Sequence, residues 1–265
     1  MHGMDEQRHN PAADWLLVPG WGFGASVFDE LRAALPSAVT VQAVSCRAAI
    51  AAIDQRAAAV HAGEAEPFSI CGWSLGATLA LERTLAHPGA VAALVLVGAT
   101  PRFVAGEGWS AAMPPAEFAA FAALAAASPP AAQSRLASLC ALGSADAPAL
   151  VRRLRRSFDR ARPGEPASVF AEVLMQGLEC LRRTDLRAGL SALDVPVTVI
   201  HGERDALVPA AAAHALAGAL PHARWLSFAE DGHALPVVQA GRLAATIMQV
   251  ASAAAHPLPV TGSTR

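Results

Sequence analysis

The sequence predicts an α/β fold, with a mostly parallel central sheet flanked by helices and an inserted all-helical cap. Three observations predict it. Short β-rich runs alternate with helical patterns. Several of those runs are continuous Val/Leu/Ile stretches, as in strands covered on both faces. The alternation then lapses for about ninety residues, where an αβ connection usually needs ~2–6. In chain order, residues 15–18 form the first expected strand and 26–35 the first helical segment. A strand at 39–44 precedes a helix at 48–61, and a strand at 68–71 runs into a helix at 75–86. A fourth strand is expected at 93–97. From residue 101 to about 193 only helical pattern appears, broken by Pro and Gly, so 101–193 is read as the cap. Strands at 197–201 and 224–228, with helices at 211–220 and 240–255, complete a core of 1–100 and 194–265. Ligands of open α/β sheets bind beyond the carboxyl ends of the strands, so an insertion after the 93–97 strand is expected to lie over the site.

Charge and cysteine usage narrow the class. A net charge of −2 argues against a nucleic-acid partner, whose phosphates call for a basic excess. Every cation is Arg, an Ala/Arg/Pro bias that reflects a GC-rich genome rather than chemistry. Cys46, Cys71, Cys140 and Cys180 are widely spaced and suit neither a disulfide framework nor a zinc site. Residues 1–10 are polar, unlike a secretory signal, and 256–265 read as a frayed end. No apolar run reaches the ~18–20 residues of a membrane span. A cytoplasmic monomer without membrane contact is expected.

The chemistry begins at Gly72-Trp73-Ser74-Leu75-Gly76, placed between an expected strand and an expected helix. That is the context of a nucleophile elbow: a turn so tight that its flanks must be small, lifting the serine hydroxyl clear of the sheet. The helix that follows points its positive end at the site. A serine needs a base and the base an orienting acid, in the order Ser, Asp, His for the α/β-hydrolase fold. Asp205 follows the 197–201 strand and His233 the 224–228 strand, so both belong to loops that converge on the elbow. Glu203 and Asp231 also compete for the acid's role, although Asp231 is too near His233 in sequence to reach its ring easily. His201 reads as structural. Two backbone donors are expected for an oxyanion: the N–H of Leu75, next to the nucleophile, and that of Trp21 in Pro19-Gly20-Trp21-Gly22. No metal or organic cofactor is called for, because a triad and an oxyanion hole suffice for acyl transfer.

Pro19-Gly20-Trp21-Gly22, Gly72-Trp73-Ser74-Leu75-Gly76-Ala77, Gly106-Glu107-Gly108-Trp109, Gly177-Leu178-Glu179-Cys180-Leu181, Thr184-Asp185-Leu186-Arg187, Gly202-Glu203-Arg204-Asp205 and Gly232-His233-Ala234 together resemble the BioH family of pimeloyl-acyl carrier protein methyl ester esterases. The resemblance implies hydrolysis of a methyl ester on a pimeloyl group borne by acyl carrier protein, in biotin synthesis, through an acyl-enzyme. It also implies a basic dock for that acidic partner, for which the cap offers Arg152, Arg155 and Arg156 on one side of a helix. Arg135 and Arg152 match family arginines implicated in docking; Ala131 and Pro148 fall where others would stand. Leu136 sits where an aromatic normally lines the acyl channel, and Pro19 replaces a usual His. The alternatives are a generalist short-chain carboxylesterase or thioesterase on the same scaffold, a solvated arginine face without a partner, and a catalytically inactive hydrolase relative that only binds.

Overall fold

The computed structural model describes residues 14–255; the stretches 1–10 and 256–265 discussed above lie outside the described residues. Six strands make one sheet: β1 (Asp14–Val18), β2 (Thr40–Ala43), β3 (Phe68–Trp73), β4 (Val91–Val97), β5 (Val197–Gly202) and β6 (Ala223–Phe228). Their order is β2-β1-β3-β4-β5-β6 and every pairing is parallel. Burial follows position in the sheet. All residues of β3 and β5 are buried, whereas the edge strand β2 alternates exposed and half-buried residues. The continuous apolar runs therefore belong to the strands covered on both faces, as the fold class requires.

Around the sheet pack α1 (Asp29–Ala34), α2 (Cys46–His61), α3 (Leu75–Ala86), a later pair α8 (Ala210–Ala219) and α9 (Leu235–Val238), and α10 (Ala240–Ala255). The segment 26–35, expected as one helix, is split. A 3-10 turn at Ala25–Phe28 precedes α1, with Val27 and Phe28 buried. Tighter 3-10 turns are common at helix starts. Between β4 and β5 lie α4 (Pro115–Ala127), α5 (Pro129–Cys140), α6 (Ala147–Arg156) and α7 (Ala167–Arg183). Each of these begins with Pro at or just before its first turn, where the missing N–H costs nothing. Among the described residues no helix is long and apolar enough to cross a membrane.

The connections place the site. The chain leaves β1 toward β2 on one side and returns as β3 on the other, so the loops after β1 and β3 part over adjacent strands. Such a switch point opens a crevice at the carboxyl edge of a parallel sheet. The loops after β4, β5 and β6 follow in a row along the same edge.

Candidate active site

Ser74 joins β3 to α3 with φ 56° and ψ −118°. Among the described residues it is the one non-glycine with positive φ. A non-glycine held there costs on the order of 1–3 kcal/mol and persists only where its surroundings over-determine it. The surroundings do so here. Ser74 N–H donates to Val97 O at 2.9 Å, while Ser74 O accepts from Ala77 N–H at 2.9 Å and Thr78 N–H at 3.1 Å. The glycines of the motif let three segments approach. A Cβ on Gly72 would lie 2.6 Å from Gly76 O, and one on Gly76 would collide with Val18 O at the end of β1.

Asp205 and His233 meet. The His233 Nδ1–Asp205 Oδ2 distance is 2.6 Å and both side chains are buried. The other carboxylate oxygen of Asp205 accepts from Leu207 N–H at 2.8 Å and Val208 N–H at 2.9 Å. Burial alone would raise the Asp205 pKa. The neighbouring His233 charge and hydrogen bond, His201 and the Val208 amide outweigh burial and hold it below the ordinary carboxylate value. The competing acids are engaged elsewhere: Glu203 stands 4.0 Å from His214, and Asp231 accepts from Gln239 at 2.6 Å. His201 is fully buried, with Nε2 3.0 Å from Val208 O and 3.8 Å from Asp205 Oδ2. Burial lowers its pKa, and its contact with Val208 O braces the loop of Asp205.

Two supports of His233 are not announced by the motifs. Trp73 Nε1–H donates to His233 O at 2.9 Å, which ties the loop of His233 to the turn at Ser74. Gly98, just after β4, has φ 56°, and a Cβ there would lie 3.0 Å from His233 Cε1 and 3.1 Å from Nδ1. Gly98→Ala is therefore expected to displace the imidazole and lower kcat by about 10²-fold, since misplacing a reacting group by ~1 Å costs that much. A kcat for a small nitrophenyl ester within twofold of wild type would contradict this.

A cavity of about 440 Å³ brings the elements together. It is lined by Ser74 and His233, by Gly20 and Trp21 from the loop after β1, and by Leu136 from α5. Gly20 packs against Ser74: a Cβ on it would be 3.2 Å from Ser74 Cβ. Leu75, as the first residue of α3, has no intrahelical acceptor for its N–H. Phe118, Phe121, Leu139 and Leu178 make the wall apolar, and the charged lining residues Glu117 and Arg135 are exposed and mark its opening. Cys140 also lines it, but burial raises its thiol pKa well above the usual range, leaving it a poor nucleophile.

The arginine run does not act as one group. On α6, Arg152, Arg155 and Arg156 are exposed, whereas Arg153 donates to Glu30 at 2.6 Å and to Val237 O at 3.0 Å. Leu150 and Leu154 are buried beneath them, and α6 packs on α5, which carries Arg135.

Residues 56–239 match the family model described as alpha/beta hydrolase fold. The chain is 32% identical to a pimeloyl-[acyl-carrier protein] methyl ester esterase of Nitrosomonas europaea, over 83% of this chain and 88% of the relative. It is 40% identical to one of that name from Xanthomonas campestris pv. campestris, over 82% and 75%. Among solved structures, an esterase from Exiguobacterium antarcticum superposes with a TM-score of 0.73 at 18% identity, covering 90% of this chain and 91% of that one, a likeness of fold alone.

Proposed function

The chain belongs to the pimeloyl-[acyl-carrier protein] methyl ester esterases of the α/β-hydrolase fold, and on that premise we propose that it hydrolyses the methyl ester of a pimeloyl group carried on acyl carrier protein, with Ser74, His233 and Asp205 as its triad. His233 takes the Ser74 proton as Oγ attacks the ester carbonyl. The negative charge that develops on oxygen is met by the N–H groups of Trp21 and Leu75. Collapse expels methanol, which leaves with the proton from His233 and an acyl-enzyme behind it. Water activated by His233 then releases the free carboxylate and regenerates Ser74. Asp205 holds the imidazole tautomer and stabilises the imidazolium throughout.

The cavity is the observation that carries the substrate reading. Its volume of about 440 Å³ suits a small acyl chain, and each methylene buried on its apolar wall contributes about 0.8 kcal/mol. The same cavity opens beside Arg135, on the helix next to the exposed Arg152, Arg155 and Arg156. Residues 101–193 act as a cap in this reading: α4, α5 and α7 supply Phe118, Leu136 and Leu178 to the wall. The exposed arginines dock the acidic carrier, and the acyl chain enters past Arg135.

Complementation of a biotin-requiring strain that lacks its own esterase tests the substrate class; growth is expected, and failure with good expression would favour a generalist esterase. Docking has a separate test. Arg152→Glu with Arg156→Glu should reduce kcat/KM for the carrier-bound ester by about 10²-fold or more, as charge reversal at an interface costs several kcal/mol. A small nitrophenyl ester should be turned over within twofold of wild type. Equal loss on both substrates, or none on either, would refute the dock.

A further inference from the structure

The loop that bears the Trp21 N–H is held from outside the sheet. Gly24 N–H donates to Ser157 O at 2.8 Å, and Asp159 N–H to Gly22 O at 2.9 Å, so residues 22–24 and 157–159 form an antiparallel bridge. Behind it stands Gln133 of α5, a buried polar side chain the triad does not use. Its Nε2 donates to Gly22 O at 3.0 Å and to Asp159 O at 3.1 Å. Gly22 has φ 73°, and its Cα faces the Gln133 side chain, 3.5 Å from a Cβ placed there to Cγ. Arg47 secures the same segment with bonds to Asp159 at 3.3 Å and Glu165 at 2.8 Å.

These contacts form a directed chain. The carbonyl of Gly22 and the N–H of Phe23 belong to one peptide plane, and that N–H donates to Gly20 O at 3.2 Å. The carbonyl of Gly20 and the N–H of Trp21 belong to a second plane, two peptides earlier in the chain. Gln133 thus pulls on the carbonyl of the first plane, whose N–H pulls on the carbonyl of the second, whose N–H belongs to Trp21, a residue that lines the cavity. Hydrogen bonds in series orient and polarise one another. We propose that Gln133 is a positioning residue for hydrolysis: from α5, through two peptide planes, it sets the direction of the Trp21 oxyanion donor. The inserted helices then govern the oxyanion hole as well as the acyl wall. This rests on the serine-hydrolase reading above.

Gln133→Met keeps the length of the side chain and removes both donors. For a nitrophenyl ester, with active sites counted by fluorophosphonate titration, kcat should fall by about 10- to 100-fold, up to what loss of one oxyanion donor costs. KM should stay within about twofold. Affinity for an alkyl boronic acid, whose tetrahedral adduct on Ser74 places an oxygen in the hole, should weaken by the same factor as kcat, because both report the tetrahedral state. The control is Arg224→Gln, which removes an exposed bond from the edge strand β6 to Gln249 of α10 and should leave kcat and boronate affinity unchanged. Irreversibly misfolded enzyme lowers the titrated active-site count and leaves the boronate affinity of the remaining sites intact. An unchanged boronate affinity in Gln133→Met, or an equal loss in Arg224→Gln, would overturn the inference. A wild-type chain that takes up neither fluorophosphonate nor boronate would instead overturn the serine-hydrolase reading itself.

Discussion

Ser74→Ala is expected to lower kcat for any ester by about 10⁶-fold, the scale on which removing the nucleophile disables a serine triad. In the proposed mechanism the residue supplies the atom that bonds to the acyl carbon, and the buried thiol of Cys140 in the same cavity is a poor substitute. Fluorophosphonate labelling should vanish with the activity. The fold should survive, because alanine meets the same backbone geometry at φ 56° and the elbow's hydrogen bonds come from the main chain. A melting temperature close to wild type, with labelling abolished, is the expected pair of results. Persistent labelling of the variant would place the nucleophile elsewhere.

Asp205→Asn comes next, with an expected loss of about 10⁴-fold in kcat. The amide keeps an oxygen for the Leu207 and Val208 amides but offers His233 Nδ1 a donor or a weaker acceptor, which favours the wrong tautomer. Stability should report the same contact. Asp205 titrates below its ordinary value of 3.8 in the folded chain: burial pushes upward, and His233 with the surrounding donors pushes further down. A depressed folded-state pKa contributes stability above the unfolded value, and that contribution is lost as pH falls through the folded value. The asparagine variant should therefore melt lower than wild type at neutral pH and lose less stability as pH falls below the ordinary carboxylate value of 3.8 and through the folded-state value. Parallel acid limbs for the two proteins would show that Asp205 does not carry this linkage.

Much of the architecture is legible in the sequence because it rests on local pattern. The apolar runs at 68–71 and 197–201 mark central strands, and both extend to their carboxyl ends through residues whose burial only the packed sheet reveals: Gly72 and Trp73 in β3, Gly202 in β5. The order Ser74, Asp205, His233 puts the three in loops that the structure brings to one edge. What is illegible depends on single contacts across long sequence distances. Nothing near Gly98 announces that its missing Cβ makes room for the His233 ring. Trp73 reads as a spacer in a motif, yet its indole reaches a carbonyl 160 positions away. Gln133 lies in an Ala-rich helix without a motif. The arginine run reads as one charged face, but Arg153, one residue and about 100° around the helix from Arg152, turns back to Glu30. Asp205, by contrast, is legible by its place in the order, and the fold adds the contact itself, 2.6 Å from His233 Nδ1.

The division of the cavity wall bears on how such a chain diversifies. Ser74, Asp205 and His233 stand on loops of the sheet, while Phe118, Phe121, Leu136, Leu139 and Leu178 come from helices inserted between β4 and β5. Acyl-length preference can thus drift or be redesigned by exchanging apolar residues on those helices, with the bond-breaking groups untouched. Gln133 sets a limit on that freedom. A donor helix that reshapes the pocket but lacks an amide at this position would inherit the new substrate and a slackened catalyst, so libraries that vary α5 should hold residue 133 fixed.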